Sequence, residues 1–117
     1  MDGDFMFYNT DLSQFSSDLS SLVNGAYMFS NCSNLTNFEN DLPSLITGEY
    51  MFDTCDNLTT FASDLSSLTD GVYMFGYCTN LELFYGDLSS LKSGDGMFVC
   101  CNKLTTFTSD LSSLTTG

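Results

Sequence analysis

The chain has no histidine and no tryptophan, a single proline, and only two basic residues, Lys92 and Lys103, in 117 positions. Without histidine, zinc sites of the Cys/His kind and catalytic triads built on an imidazole base are excluded. Fifteen acidic residues bring the formal net charge to −13. Two cations cannot neutralise the phosphates of nucleic acid, and anionic membrane surfaces are disfavoured for the same reason. We therefore expect no nucleic-acid partner, and charged partners would be cations or basic proteins.

Long apolar runs are also lacking. No stretch approaches the roughly 18 apolar residues of a membrane-spanning helix, so we expect no membrane insertion. No basic segment followed by an apolar one marks a secretory signal at the start of the chain. The 43% apolar content, with 11 Phe and 6 Tyr, argues for a folded chain. Its length suits a single domain, which we assign to residues 1–117.

A period of 23 residues runs through the chain. It is marked by the pairs Met28-Phe29, Met51-Phe52, Met74-Phe75 and Met97-Phe98, and Met6-Phe7 precedes them by 22 residues. A fixed period of this length is typical of a solenoid, in which each repeat forms one coil that stacks on the next.

Aligning the repeats gives columns of equivalent residues. The apolar columns predict a core in which coils bury each other's side chains at the strand spacing of about 4.8 Å; they include Leu35, Phe38, Leu42, Leu45, Met51, Phe52, Cys55 and their counterparts in the other coils. We predict a short strand at Leu-x-x-Phe, a turn at Asp-Leu-Ser-Ser-Leu, and a helical turn or second strand near Tyr-Met-Phe-x-x-Cys. A recurring glycine predicts a backbone site with positive φ, at Gly25, Gly48, Gly71, Gly94 and Gly117.

The pattern Leu58-x-x-Phe61, Leu65-x-x-Leu68, Gly71, Met74-Phe75, Cys78 resembles the 23-residue BspA-like (Treponema pallidum-type) leucine-rich repeat. The resemblance covers the whole chain, with methionine where the family prefers alanine and phenylalanine where it prefers isoleucine. It implies a β-rich solenoid: a right-handed, leucine-rich-repeat-like stack of five coils with a parallel sheet and short helical turns. It also implies a non-enzymatic surface or adhesive role, an extracellular or cell-surface location, and no catalytic residues or cofactor.

One column of aspartates is a candidate site, formed by Asp18, Asp41, Asp64, Asp87 and Asp110. Each precedes a Leu-x-Ser-Leu segment, where an aspartate serves as an N-cap or forms an Asx-turn. A row of calcium ions would relieve the repulsion between these carboxylates. However, calcium needs six to eight oxygen ligands, and no accompanying Asp-x-Asp spacing supplies them, so capping is the favoured interpretation.

The cysteines follow the same period. Four of them form a column that predicts buried thiols, and Cys100 lies outside it, where we expect exposure. A disulfide between adjacent coils, or an intermolecular link through Cys100, is the alternative. Asn31, Asn34 and Asn57 begin glycosylation sequons, or serve as turn residues.

Neither end of the repeat array carries a polar capping repeat, so both ends would present apolar side chains and unpaired strand edges. Either the chain is a fragment of a longer repeat protein, or it polymerises end to end. The sequence therefore favours a non-catalytic structural or adhesive protein that binds other proteins. The alternative is a subunit that stacks head to tail with copies of itself into an extracellular filament.

Overall fold

A computed structural model describes all 117 residues and contains four strands of two residues each: β1 (Asn37–Phe38), β2 (Thr60–Phe61), β3 (Leu83–Phe84) and β4 (Thr106–Phe107). They form one parallel sheet in the order β1-β2-β3-β4, and the four phenylalanines pair in register. A second ladder of single parallel bridges runs through Asp2, Asn24, Thr47, Asp70, Ser93 and Thr116. The predicted parallel sheet of Leu-x-x-Phe strands is confirmed in these four coils.

The structure has strands but no helix, so the predicted helical turns are not confirmed. The segment from Gly25 to Cys32 forms overlapping turns instead, with backbone bonds from Met28 to Gly25 and from Cys32 to Phe29. The amide of Phe29 donates to Met51 of the next coil. Tyr27 and Asn31 have φ of 58° and 61°. Because a right-handed helix needs negative φ at every residue, this segment cannot continue as one.

The predicted apolar columns form the core. Twenty-four buried hydrophobic residues make one cluster, and the leucine, methionine and cysteine columns of the central coils are fully buried. Two stacks of phenylalanine rings interleave: Phe38, Phe61 and Phe84 stack at 5.7 and 5.5 Å, and the ring of Phe75 lies edge-on between Phe61 and Phe84. Offset and edge-to-face pairs of this kind add to the stability from burial.

The prediction of positive φ at the glycine column was wrong, because none of these glycines has positive φ. The left-handed position lies two residues later, at Tyr27, Tyr50 and Tyr73. What the column requires is space: a Cβ at Gly48 would lie 2.9 Å from Sδ of Met74, the methionine of the next coil. The glycines therefore make room for the methionine column.

The number of coils depends on which column is followed. The sheet has four strands, whereas the ladder of single bridges links six residues on successive levels. The stacking is consistent with the predicted solenoid, and the count of five coils is not confirmed.

Candidate functional site

Four members of the aspartate column lie where the chain turns after strands β1 to β4, and Asp18 holds the equivalent place in the first coil, which has no strand. Asp18, Asp64, Asp87 and Asp110 each accept, through Oδ1, a hydrogen bond from the backbone N–H two residues further on, at 2.8 to 2.9 Å. This is the geometry of an Asx-turn. These bonds lower the pKa of Asp18 and of Asp87, because they favour the charged carboxylate. The predicted turn-forming role of the column is confirmed at these four residues.

Asp41 is bonded differently. Two residues after it stands Pro43, which has no N–H to donate. Its Oδ1 accepts instead from the backbone N–H of Asp64 in the next coil, at 3.1 Å. The carboxylate thus links two coils, and Asp41 and Asp64 are brought together through this bond.

The column is strongly negative and is not balanced by basic side chains. The two basic residues of the chain, Lys92 and Lys103, both lie outside the column. No group of three acidic or cysteine side chains lies close enough to hold one metal ion. The calcium ladder stays a prediction, and the geometry gives it no multidentate site.

The cysteine column is buried as predicted at three of its four members. Cys32, Cys55 and Cys78 are fully buried free thiols, Cys101 is half-buried, and Cys100 is exposed. The Sγ of Cys55 donates to the carbonyl of Phe29 at 3.1 Å, and the other three column thiols make the equivalent bond. Burial raises the pKa of Cys55 and Cys78, and that of Cys101 to about 11. The raised pKa values disfavour the reactive thiolate form, and the hydrogen bonds give these thiols a structural role.

A ladder of stacked aromatic rings lies on the surface and was not predicted. Phe5, Tyr27, Tyr50 and Tyr73 stack with ring centroids 4.7 to 5.1 Å apart and planes within 7°. The ladder stops at Gly96, where a Cβ would lie 2.7 Å from the ring of Tyr73. The tyrosine that precedes three of the five Met-Phe pairs was the available signal. The ring faces cover one another, so the ladder presents ring edges to solvent.

The glycosylation sequons differ in the state of their asparagines. The side-chain amide of Asn57 donates to the carbonyl of Ser33 at 2.6 Å, and that of Asn31 donates to Asn9 at 2.7 Å. Asn34 is exposed. The amides of Asn57 and Asn31 thus link successive coils, and glycosylation of any of the three stays a prediction.

The fold is that of a stacked-repeat protein of the leucine-rich-repeat class, with an inward column of leucines and phenylalanines and a narrow parallel sheet. A family model for the BspA type leucine rich repeat region matches residues 3–116 in six copies, so the chain belongs to this family. No match to a curated protein or to a solved structure was found. The structure contains no helix of the length and apolarity that crossing a membrane would take.

Proposed function

We propose that the chain is a non-catalytic protein-interaction module of a structural or adhesive cell-surface protein. The family suggests a surface or interaction role built on repeats. The observation that carries the proposal is that the two titratable columns considered above, of aspartates and of cysteines, both have a structural use, in turns and in buried hydrogen bonds. What is left for function is the surface itself, extended by stacking, which is how solenoids bind partners.

The lack of histidine and the burial of the thiol column support the non-catalytic part of the proposal. The chain has no histidine, and its buried thiols have raised pKa values that suppress the thiolate form. Catalysis by a histidine base or by a thiolate of the buried cysteine column is therefore not supported.

Binding by a folded surface can be tested with purified proteins. The wild-type chain would be immobilised and probed with a panel of surface and matrix proteins from its source, beside the core variant Phe61→Ala. Phe61 is fully buried and contacts four other rings, so its truncation should cost about 3–5 kcal/mol and disrupt the coils. We expect saturable binding to the wild type alone. Equal binding to both chains would mean that the folded surface is not used.

The surface location can be tested in the source cells. Antibodies against the chain should label intact cells without permeabilisation. Labelling that needs permeabilisation would contradict an extracellular or cell-surface location.

The second candidate function is head-to-tail stacking into a filament. In the 117-residue chain Phe5 and Met6 are 51% and 53% exposed in the first coil. At the other end an apolar recess of about 140 Å³ is lined by leucines, Met97 and Phe98. Unlike faces that join without closing give an open filament.

This candidate has a direct test with a matched control. Met6→Glu places a charge on an end face, whereas Val23→Glu places one on the side of the stack, in the column that already holds Lys92. We expect light scattering and negative-stain images to show filaments for the wild type and Val23→Glu, and none for Met6→Glu. A wild-type chain that stays monomeric as its concentration rises would exclude filament formation by these 117 residues.

A further inference from the structure

A polar groove of about 590 Å³ lies beside the aspartate column, across three successive coils. Three carboxylates of the column line it, from Asp41, Asp64 and Asp87, together with Tyr85 and Ser63. The Asx-turns explain why an aspartate recurs in each coil. They do not explain Tyr85 or Ser63.

The carboxylates have hydrogen-bonding capacity to spare. One oxygen of each accepts a backbone N–H, at 3.1 Å for Asp41, 2.8 Å for Asp64 and 2.9 Å for Asp87. The second oxygens of Asp41 and Asp64 accept no hydrogen bond from the chain, and no basic side chain lines the groove. The groove therefore offers three negatively charged acceptors in a row without a cation.

Ser63 is a second and independent feature. Its side chain is only 5% exposed, and its hydroxyl has no hydrogen-bond partner. The equivalent hydroxyl two coils later, that of Ser109, accepts from the backbone N–H of Leu88 at 2.8 Å. At Ser63 the corresponding N–H, that of Leu42, donates to the carbonyl of Asp64 instead. An unpaired buried hydroxyl is costly, so its presence in the wall of this groove points to a polar ligand.

Tyr85 breaks the repeat. The equivalent positions hold Ser16, Glu39, Ala62 and Thr108, so stacking of the coils does not require an aromatic residue there. Tyr85 is 48% exposed and lines the groove. An exposed aromatic face beside carboxylates suits a guanidinium or ammonium group, which can stack on the ring while it is hydrogen-bonded.

We propose that this groove binds an extended, arginine-rich segment of a partner protein. The carboxylates lie on three coils and span about 10 Å at the spacing of stacked strands, which is too far for one metal ion to bridge. In an extended segment, side chains on one face recur every ~6.6 Å, so two arginines fit within that span. Guanidinium groups bind carboxylates through paired hydrogen bonds. This inference rests on the proposed protein-interaction function and names the chemistry of the partner.

The test uses a fluorescent peptide with arginine at alternating positions and the whole chain, at physiological ionic strength. The variant Asp64→Asn/Asp87→Asn removes two charges from the groove, and asparagine still forms the Asx-turn. Glu49→Gln/Asp95→Asn removes two charges elsewhere, from side chains that make no hydrogen bonds. We expect the first variant to lose about tenfold or more in affinity and the second to lose less than about threefold.

Two single variants test the other groove residues. Tyr85→Ala should lower the affinity for the peptide several-fold, because the guanidinium group loses its aromatic partner. Ser63→Ala should lower the affinity for the peptide. It should also raise the melting temperature, because a buried unpaired hydroxyl is removed. A merely structural serine would change the melting temperature alone.

The outcomes separate this inference from the function on which it rests. Equal losses of peptide affinity in the two charge-matched variants would show diffuse electrostatic attraction and would contradict a binding site in the groove. If the peptide does not bind but the protein panel still shows fold-dependent binding, the proposed arginine-binding groove is wrong and the proposed protein-interaction function stands. Displacement of the peptide by calcium would assign the groove to the metal ion and also overturn the proposal.

Discussion

Replacing Gly48 by alanine tests why glycine recurs at its column. The new methyl carbon would lie 2.9 Å from Sδ and 3.1 Å from Cε of Met74, well inside the usual 3.5–4.0 Å contact. Met74 is fully buried within the methionine column, so it has little room to move. Overpacking of this kind lowers the free energy of unfolding by about 1–3 kcal/mol. Replacing glycine also reduces the entropy of the unfolded chain, which raises the free energy of unfolding by about 0.4–1 kcal/mol. We expect a net destabilisation of about 1–2 kcal/mol.

The contact explanation further predicts that the cost depends on the methionine. Met74→Ala alone should destabilise the chain by about 2–5 kcal/mol through the cavity that it leaves. In that background Gly48→Ala meets no sulfur and should be neutral or slightly stabilising. The double-mutant cycle should therefore show a coupling of about 2 kcal/mol between the two positions.

Gly94 provides a matched control within the same column. Within the 117-residue chain its added Cβ would meet leucine methyl groups at 3.2 and 3.3 Å and no methionine. Gly94→Ala should change stability by less than about 0.5 kcal/mol.

The assay is urea unfolding followed by circular dichroism, because the chain has no tryptophan for fluorescence. Thermal melts should agree, at about 4 °C per kcal/mol for a chain of this size. If Gly48→Ala costs the same with and without Met74, or if Gly94→Ala costs as much, the column is set by backbone conformation and the contact argument is wrong.

Three further predictions concern the thiols, the aspartates and metal. In the native chain at pH 8, Cys100 should react rapidly with a thiol reagent, whereas Cys101, with a pKa of about 11, and the fully buried thiols should react only after unfolding. Mass spectrometry of the labelled peptides checks this. Fast labelling of the buried cysteines would contradict it. The pKa of Asp18 is lowered by the backbone N–H of Ser20, so its stabilising contribution is complete above the unfolded-state value near 4 and is lost as the pH falls through the folded-state value. Asp18→Asn should accordingly reduce the acid-side slope of stability against pH, measured by urea unfolding between pH 2 and pH 6, and an unchanged slope would refute this role. A chelator should leave the melting temperature unchanged, because no three carboxylates converge on one point, and a clear drop would restore the calcium ladder.

Where the sequence was misleading, the reason lies in contacts between coils. A recurring glycine is compatible with a positive φ and with a side chain that packs closely against the backbone. Only the contact of Met74 with Gly48 in the structure distinguishes these two explanations. The tyrosine column shows the converse. Tyrosine rarely adopts positive φ, so its sequence gave no warning that Tyr50 and Tyr73 take this conformation.

The candidate site was predictable only in part. The aspartates recur with the period, and their bond to the N–H two residues on is local, so the sequence indicated both. The groove depends on residues that interrupt the period, Tyr85 above all, and on a hydroxyl that lacks a partner. Whether the Ser63 hydroxyl has a hydrogen-bond partner depends on which acceptor in the neighbouring coil the Leu42 N–H bonds to. No local sequence pattern predicts that acceptor.

The sequence by itself determined the stacked-repeat fold, the membership of the core and the family, because a period of 23 residues places like side chains on one another in every coil. Tertiary structure alone decided which backbone sites are left-handed, why glycine faces methionine, and where three carboxylates meet an exposed ring and an unpaired hydroxyl. The physical reason is that periodicity specifies what each coil contributes, whereas distances between side chains of different coils arise only when the coils are stacked.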